Sequence, residues 1–127
     1  FRGNGDAAAD RARAAVAARP TDPSTLSNAA QIMVDSNHLP DAADYLKRYL
    51  DIDPANQQNR RALAAVLVNI ATPQALESAL AQYKFLADAG GRDPNIYHAM
   101  AALLNELGRP QEAQEMEQKA AAIEQPK

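Results

Sequence analysis

Two histidines, His38 and His98, are the side chains in this sequence best suited to hold a metal or move a proton. Neither stands in a His-x-x-x-His, Glu-x-x-His or His-Glu-x-x-His spacing, which would put two ligands on one helix face. Ser24, Ser27 and Ser36 lack the glycine-flanked context of a nucleophile elbow. Gly90-Gly91 reads as a helix end, because a lone glycine pair is not a phosphate loop. The acidic pairs Asp51/Asp53 and Glu115/Glu117 read as solvated helix ends and faces. Cysteine is absent, which removes disulfides, thiolate metal sites and a thiol nucleophile. Catalysis needs converging groups on a scaffold, and the residue pattern offers none. The reading is a non-enzyme with no cofactor and no metal.

The elements that would position these residues are helices. The stretch Leu39-Pro-Asp-Ala-Ala-Asp-Tyr-Leu-Lys-Arg-Tyr-Leu-Asp-Ile-Asp-Pro54 reads as one amphipathic helix closed by Asp-Pro. Before it, Phe1 to Gly5 has turn chemistry, and Asp6 is the expected N-cap of a helix to about Arg19. A second helix runs from about Pro23 to Ser36, with Leu26, Ala29, Ala30, Met33 and Val34 at helical spacing. Asn37 suits the left-handed residue that ends it. Further helices are expected over about 55–70, 73–89, 94–107 and 110–123. Thr72-Pro73 and Asp93-Pro94 are start signals, and Gly108 is a stop. The tail from Glu124 to Lys127 should fray. No stretch alternates with period two, so no strand is predicted.

Composition narrows the partner. Alanine, the best helix former, carries much of the apolar content, and aromatics make up 5%. The formal charge is −3, and binding phosphates requires a basic face, so nucleic acid is not the expected partner. No run of about 18 apolar residues is present, so no direct membrane span is expected. A cysteine-free chain is compatible with periplasm and cytoplasm alike, and the localisation stays unknown.

The helices recur with a period. The small residues Ala30, Ala64 and Ala101 lie 34 and 37 residues apart. Ala8, Ala42, Ala79 and Ala113 lie 34, 37 and 34 apart. Both alignments place three extra residues between Ala64 and Ala79, in the Ala71–Ser78 turn and helix start. A fixed period in this range marks stacked repeats.

The pattern resembles the tetratricopeptide repeat (TPR) family, with its 34-residue helix–turn–helix unit. Leu107-Gly-Arg-Pro-Gln-Glu-Ala113 is the best match to that family's inter-helix turn. Asn37-His-Leu-Pro-Asp-Ala42 and Gly3-Asn-Gly-Asp-Ala-Ala8 are weaker copies, and Asp53-Pro54 resembles its repeat end. Arg60 stands where Leu26 and Tyr97 carry the family's bulky residue, Tyr49 and Leu86 where a small one is usual, and Gly91 where a proline is. Pentatricopeptide arrays share the period but are basic RNA binders, and a generic bundle leaves the period unexplained. The resemblance implies an all-α helical-repeat solenoid of antiparallel helix pairs in a right-handed superhelix. Residues 23–56, 57–93 and 94–127 would be whole repeats, and 1–22 the orphan second helix of a truncated one. An array that opens mid-repeat reads as part of a longer solenoid. Its open edge should leave Ala8, Ala12, Ala15 and Val16 under-buried, with weak self-association or fraying.

The resemblance also implies a concave face lined by the first helix of each repeat. Ser27, Arg61 and His98 then share one slot, and Asn28, Ala62 and Ala99 the next. Gln31, Ala65 and Ala102 follow, then Val34, Val68 and Asn105, then Asp35, Asn69 and Glu106. The candidate partner-binding residues are Asn28, Gln31, Arg61, Asn69, His98 and Asn105. Asn and Gln offer both a donor and an acceptor to a peptide backbone, and Arg61 suits a carboxylate. The alternative is that these are merely polar residues on a solvated face. The match to a carboxylate-clamp receptor is loose, so a chaperone C-terminal-motif receptor is not expected. The function read from this face is a protein-interaction scaffold binding a peptide or helix of a partner. The second reading is an assembly module of a bacterial envelope complex, such as polysaccharide export or secretion.

Overall fold

In a computed structural model the described residues, 4–90 and 92–125, form seven α-helices, and no strand occurs among them. They are α1 (Asn4–Ala18), α2 (Pro23–Asp35), α3 (Leu39–Ile52), α4 (Gln57–Ile70), α5 (Pro73–Asp88), α6 (Pro94–Glu106) and α7 (Pro110–Glu124). Two compact units divide them, one ending at Ile70 and one beginning at Ala71. In the first, α1 packs on α2, α2 on α3, and α3 on α4; in the second, α5 packs on α6, and α6 on α7. Within each unit, short connections leave each helix beside its neighbour in sequence.

Local chemistry sets the starts. Asp22 caps α2 by accepting from the Thr25 N–H at 3.0 Å. Thr72 does the same for α5 from Ala75 at 3.1 Å, and Asp93 for α6 from Asn95 at 2.9 Å. Each is followed by proline, whose missing N–H is no loss in a first turn. Asn56 accepts from the Asn59 N–H at 2.9 Å, so α4 starts at Gln57 rather than at Ala55. Asp6 is not an N-cap. The helix already runs from Asn4, and Asp6 lies in its first turn, where its charge suits the helix dipole. Phe1, Arg2 and Gly3 lie outside the described residues, as do Gly91, Pro126 and Lys127, while Asn4 and Gly5, expected in the same turn, are already helical.

The ends repeat as well. Asn37, Ala71 and Gly108 all have positive φ, at 61°, 64° and 75°. They follow α2, α4 and α6 and are spaced 34 and 37 apart. At Asn37 and Gly108 the next residue reaches back into the helix: His38 N–H to Met33 O at 2.7 Å, and Arg109 N–H to Leu104 O at 2.8 Å. This register confines the three extra residues to the span between Ala71 and Ala79. They lengthen the start of α5, which opens six residues before Ala79, whereas α3 and α7 open three residues before Ala42 and Ala113. Alanine carries a Cβ penalty in the left-handed region that glycine does not. Ala71→Gly is therefore expected to stabilise the chain by about 0.5–1 kcal/mol, the relief of strain exceeding the added chain entropy. Urea denaturation with an unchanged or lower midpoint would contradict this.

The core follows the same register. Ala30, Ala64 and Ala101 are buried, as are Ala42, Ala79 and Ala113. A small side chain at these positions lets neighbouring helices approach. Ala8 is half-buried and Ala15 exposed. The expectation fails for Ala12 and Val16, each 3% exposed. With Ala9 they form a stripe that α2 already covers. Polar contacts add to this edge: Arg13 pairs with Asp41 at 2.9 Å, and His38 Nε2 lies 3.2 Å from Asp6. Arg60 serves in place of a bulky apolar residue. It is half-buried and its guanidinium donates to the Pro54 carbonyl at 2.7 Å, so its stem packs while its head closes the preceding turn.

Candidate functional site

In the first unit, α2, α3 and α4 bound a cavity of about 260 Å³. Ser27, Asn28, Gln31 and Val34 come from α2, and Gln58, Asn59 and Ala62 from α4. Leu46 of α3 and Ala30 complete it. The helical spacing 27, 28, 31, 34 puts the α2 residues on one face, as i, i+3 and i+4 positions share a side. No charged side chain lines the cavity. Ser27 Oγ meets Asn59 Oδ1 across it at 3.5 Å. Gln31 donates to Asp35 at 2.9 Å. Among the described residues, the amides of Asn28 and Gln58 are exposed and have no protein hydrogen-bond partner. Asn28 also lines a second, shallower cavity of about 230 Å³ between α1 and α2.

Asn28 and Gln31 thus come together, while the other expected residues are placed differently. Arg61 is exposed on α4 but does not line the cavity. Asn69 is exposed near the end of α4 and donates its amide to its own helix, at Ala65 O, 3.1 Å away. In the second unit Asn105 is exposed on α6. His98 is turned against α7. Its Nδ1 lies 2.9 Å from Glu117 and its Nε2 3.0 Å from Glu124. Both bonds form together only when both ring nitrogens carry protons. Glu124 is thereby held in α7 rather than frayed, contrary to expectation.

Those carboxylates raise the His98 pKa above its usual value, Glu124 first and Glu117 next. A raised folded pKa means stability that is fully present below the unfolded value, near 6.5, and is lost as pH rises through the folded one. The expected result is a melting temperature that falls as pH is raised through this window, and a smaller fall in His98→Gln. Equal pH dependence in both proteins would rule out His98 as the source.

Gln58, Asn59 and Leu46 escaped the sequence reading. Repeat-equivalent positions set Ser27 beside Arg61. Packed neighbours are staggered instead, and Ser27 meets Asn59, 32 residues on rather than 34. The signal available was the polar run Asn56-Gln-Gln-Asn59 at the start of α4.

No family profile and no curated protein matches the sequence. Solved structures do. MamA MSR-1 is 18% identical with a TM-score of 0.77, over 95% of this chain and 68% of that one. MamA AMB-1 is 18% identical with a TM-score of 0.76, over 90% and 61%. MamA from Desulfovibrio magneticus RS-1 is 19% identical with a TM-score of 0.72, over 97% and 68%. The chain spans about two thirds of the length of the structures it matches. MamA is a TPR-like protein. At this identity the likeness is one of fold, and the chain has the tetratricopeptide-type helical-repeat fold that its period and its all-helical structure indicate.

Proposed function

We propose that the chain is a non-catalytic protein-interaction scaffold and that the cavity between α2 and α4 receives a peptide or helix of a partner protein. The observation that carries this is the pair of partnerless amides, Asn28 and Gln58, on opposite sides of one uncharged cavity. A peptide backbone presents alternating donors and acceptors that such exposed amides can bond in place of water. Val34 and Val68 support it. They hold the same repeat slot and are 36% and 37% exposed, which offers an apolar side chain a contact on the same helices. Gln31, Arg61 and Asn69 extend the face within the first unit. His98 and Asn105 hold the corresponding slots in the second, where His98 would have to leave its two carboxylates to meet a ligand. Among the described residues no group of three or more His, Cys, Asp or Glu side chains is placed to hold a metal, and no helix is long and apolar enough to cross a membrane.

The test is selection of peptides from a displayed random library on the folded chain. Asn28→Ala and Gln58→Ala are each expected to weaken a selected peptide by about 1 kcal/mol, one net hydrogen bond. Arg61→Ala is expected to weaken acidic peptides alone. Lys47→Ala, on the exposed side of α3, should leave affinity unchanged. Equal losses for Lys47 and the two amide variants would overturn the assignment.

A further inference from the structure

The second unit contains a separate cavity of about 280 Å³, bounded by α5, α6 and α7. Its floor is apolar: Leu80 from α5, Met100 and Leu104 from α6, and Met116 from α7. Leu80 and Met116 are only partly buried, so the core beneath them is incompletely covered. Thioether side chains adapt to the shape of what they meet. Small-molecule sites span about 300–1,000 Å³, so this volume suits one or two side chains of a peptide better than a cofactor.

The rim decides the chemistry. Lys84 on α5 and Lys119 on α7 line the same cavity, and both are exposed. Among the described residues neither has a carboxylate within ion-pair distance. The Lys119 ammonium lies 6.0 Å from the centre of the Tyr97 ring, which lines the same cavity. Arg109, the third cation, is already engaged by Glu112 and by Glu77 at 3.3 Å. Asp88 and Glu115 lie one helical turn from Lys84 and Lys119. These two carboxylates line the same cavity and repel a polyanion.

We propose that this cavity is a second binding site, and that it takes a partner peptide in which an apolar side chain stands next to a single acidic residue. The apolar group covers Met100 and Met116, and the carboxylate sits between Lys84 and Lys119. The site stands on different residues from the α2–α4 cavity, so either can fail alone.

The probes are phenylbutyrate, phenylbutanol and phenylbutylamine, which share a body and differ in charge. They are titrated into the 127-residue chain while the Met100 and Met116 methyl resonances are followed by NMR. Saturable shifts are expected, with affinity in the order carboxylate, alcohol, amine. Lys84→Gln/Lys119→Gln should weaken phenylbutyrate by about fivefold, the loss of two exposed ion pairs, and leave phenylbutanol unchanged. Circular dichroism melting identifies a variant that has lost its fold, and Lys84→Gln or Lys119→Gln alone then replaces it, with about half the effect in free energy. The absence of saturable shifts overturns the proposal, as does equal binding of amine and carboxylate. So does a concentration-dependent dimer in sedimentation whose formation alone moves these methyl groups, which would make the occupant a second copy. In a displayed library, peptides lost on the double variant are expected to carry Asp or Glu beside an apolar residue, and their absence counts against the site.

Discussion

Leu26→Ala is expected to destabilise the chain by about 3 kcal/mol, as for a fully buried leucine whose cavity cannot collapse. Leu26 has no exposed surface, and its helix, α2, packs on both α1 and α3. In a repeat fold each helix pair buries its apolar face only against neighbours, so one cavity loosens two interfaces. Urea denaturation measures it. The comparison is Val34→Ala, one of the exposed valines, expected to change stability by no more than about 0.5 kcal/mol. A Leu26→Ala loss below about 1 kcal/mol would mean that α2 is not held between α1 and α3 as described.

Ala62→Phe is expected to weaken a groove-binding peptide by about 2 kcal/mol or more, roughly thirtyfold, with stability within about 1 kcal/mol of the parent. Ala62 is half-buried and lines the α2–α4 cavity, so a phenyl ring there occupies the volume that a ligand would fill. The ring adds apolar contact with Leu46 and Val34, which offsets part of its crowding. Isothermal titration with a selected peptide reads the affinity. An unchanged affinity in a folded Ala62→Phe protein would place the ligand elsewhere.

The helices were legible because their punctuation is local. Pro after Asp22, Thr72 and Asp93, and Gly at 108, act within one turn, so sequence neighbours suffice to see them. The period was legible because alanine is needed wherever helices approach closely, and the six register alanines from Ala30 to Ala113 are all buried. Ala71 was not legible. The repeat demands a left-handed residue there, and nothing in alanine's chemistry announces it. Asp6 failed as a cap because the helix had an earlier start available.

The site was half legible. Asn28 and Gln31 could be placed on one face of α2 from spacing alone. Their partners across the groove could not, because repeat arithmetic aligns equivalent residues, whereas packing sets α4 against α2 with a stagger. His98 shows the other limit. Its slot matched Ser27 and Arg61, but two carboxylates on α7 turn its ring away. An ion pair of that kind depends on a helix 19 to 26 residues further on, which local spacing does not reveal.

NMR shift mapping of the folded chain with a selected peptide shows whether a partner peptide lies in the α2–α4 cavity. Saturable shifts centred on Asn28, Gln31, Val34, Gln58 and Ala62 are expected, and they should be lost in Ala62→Phe. Shifts confined to the exposed side of α3 around Lys47 and Asp51, with Asn28 and Gln58 unmoved, would contradict it.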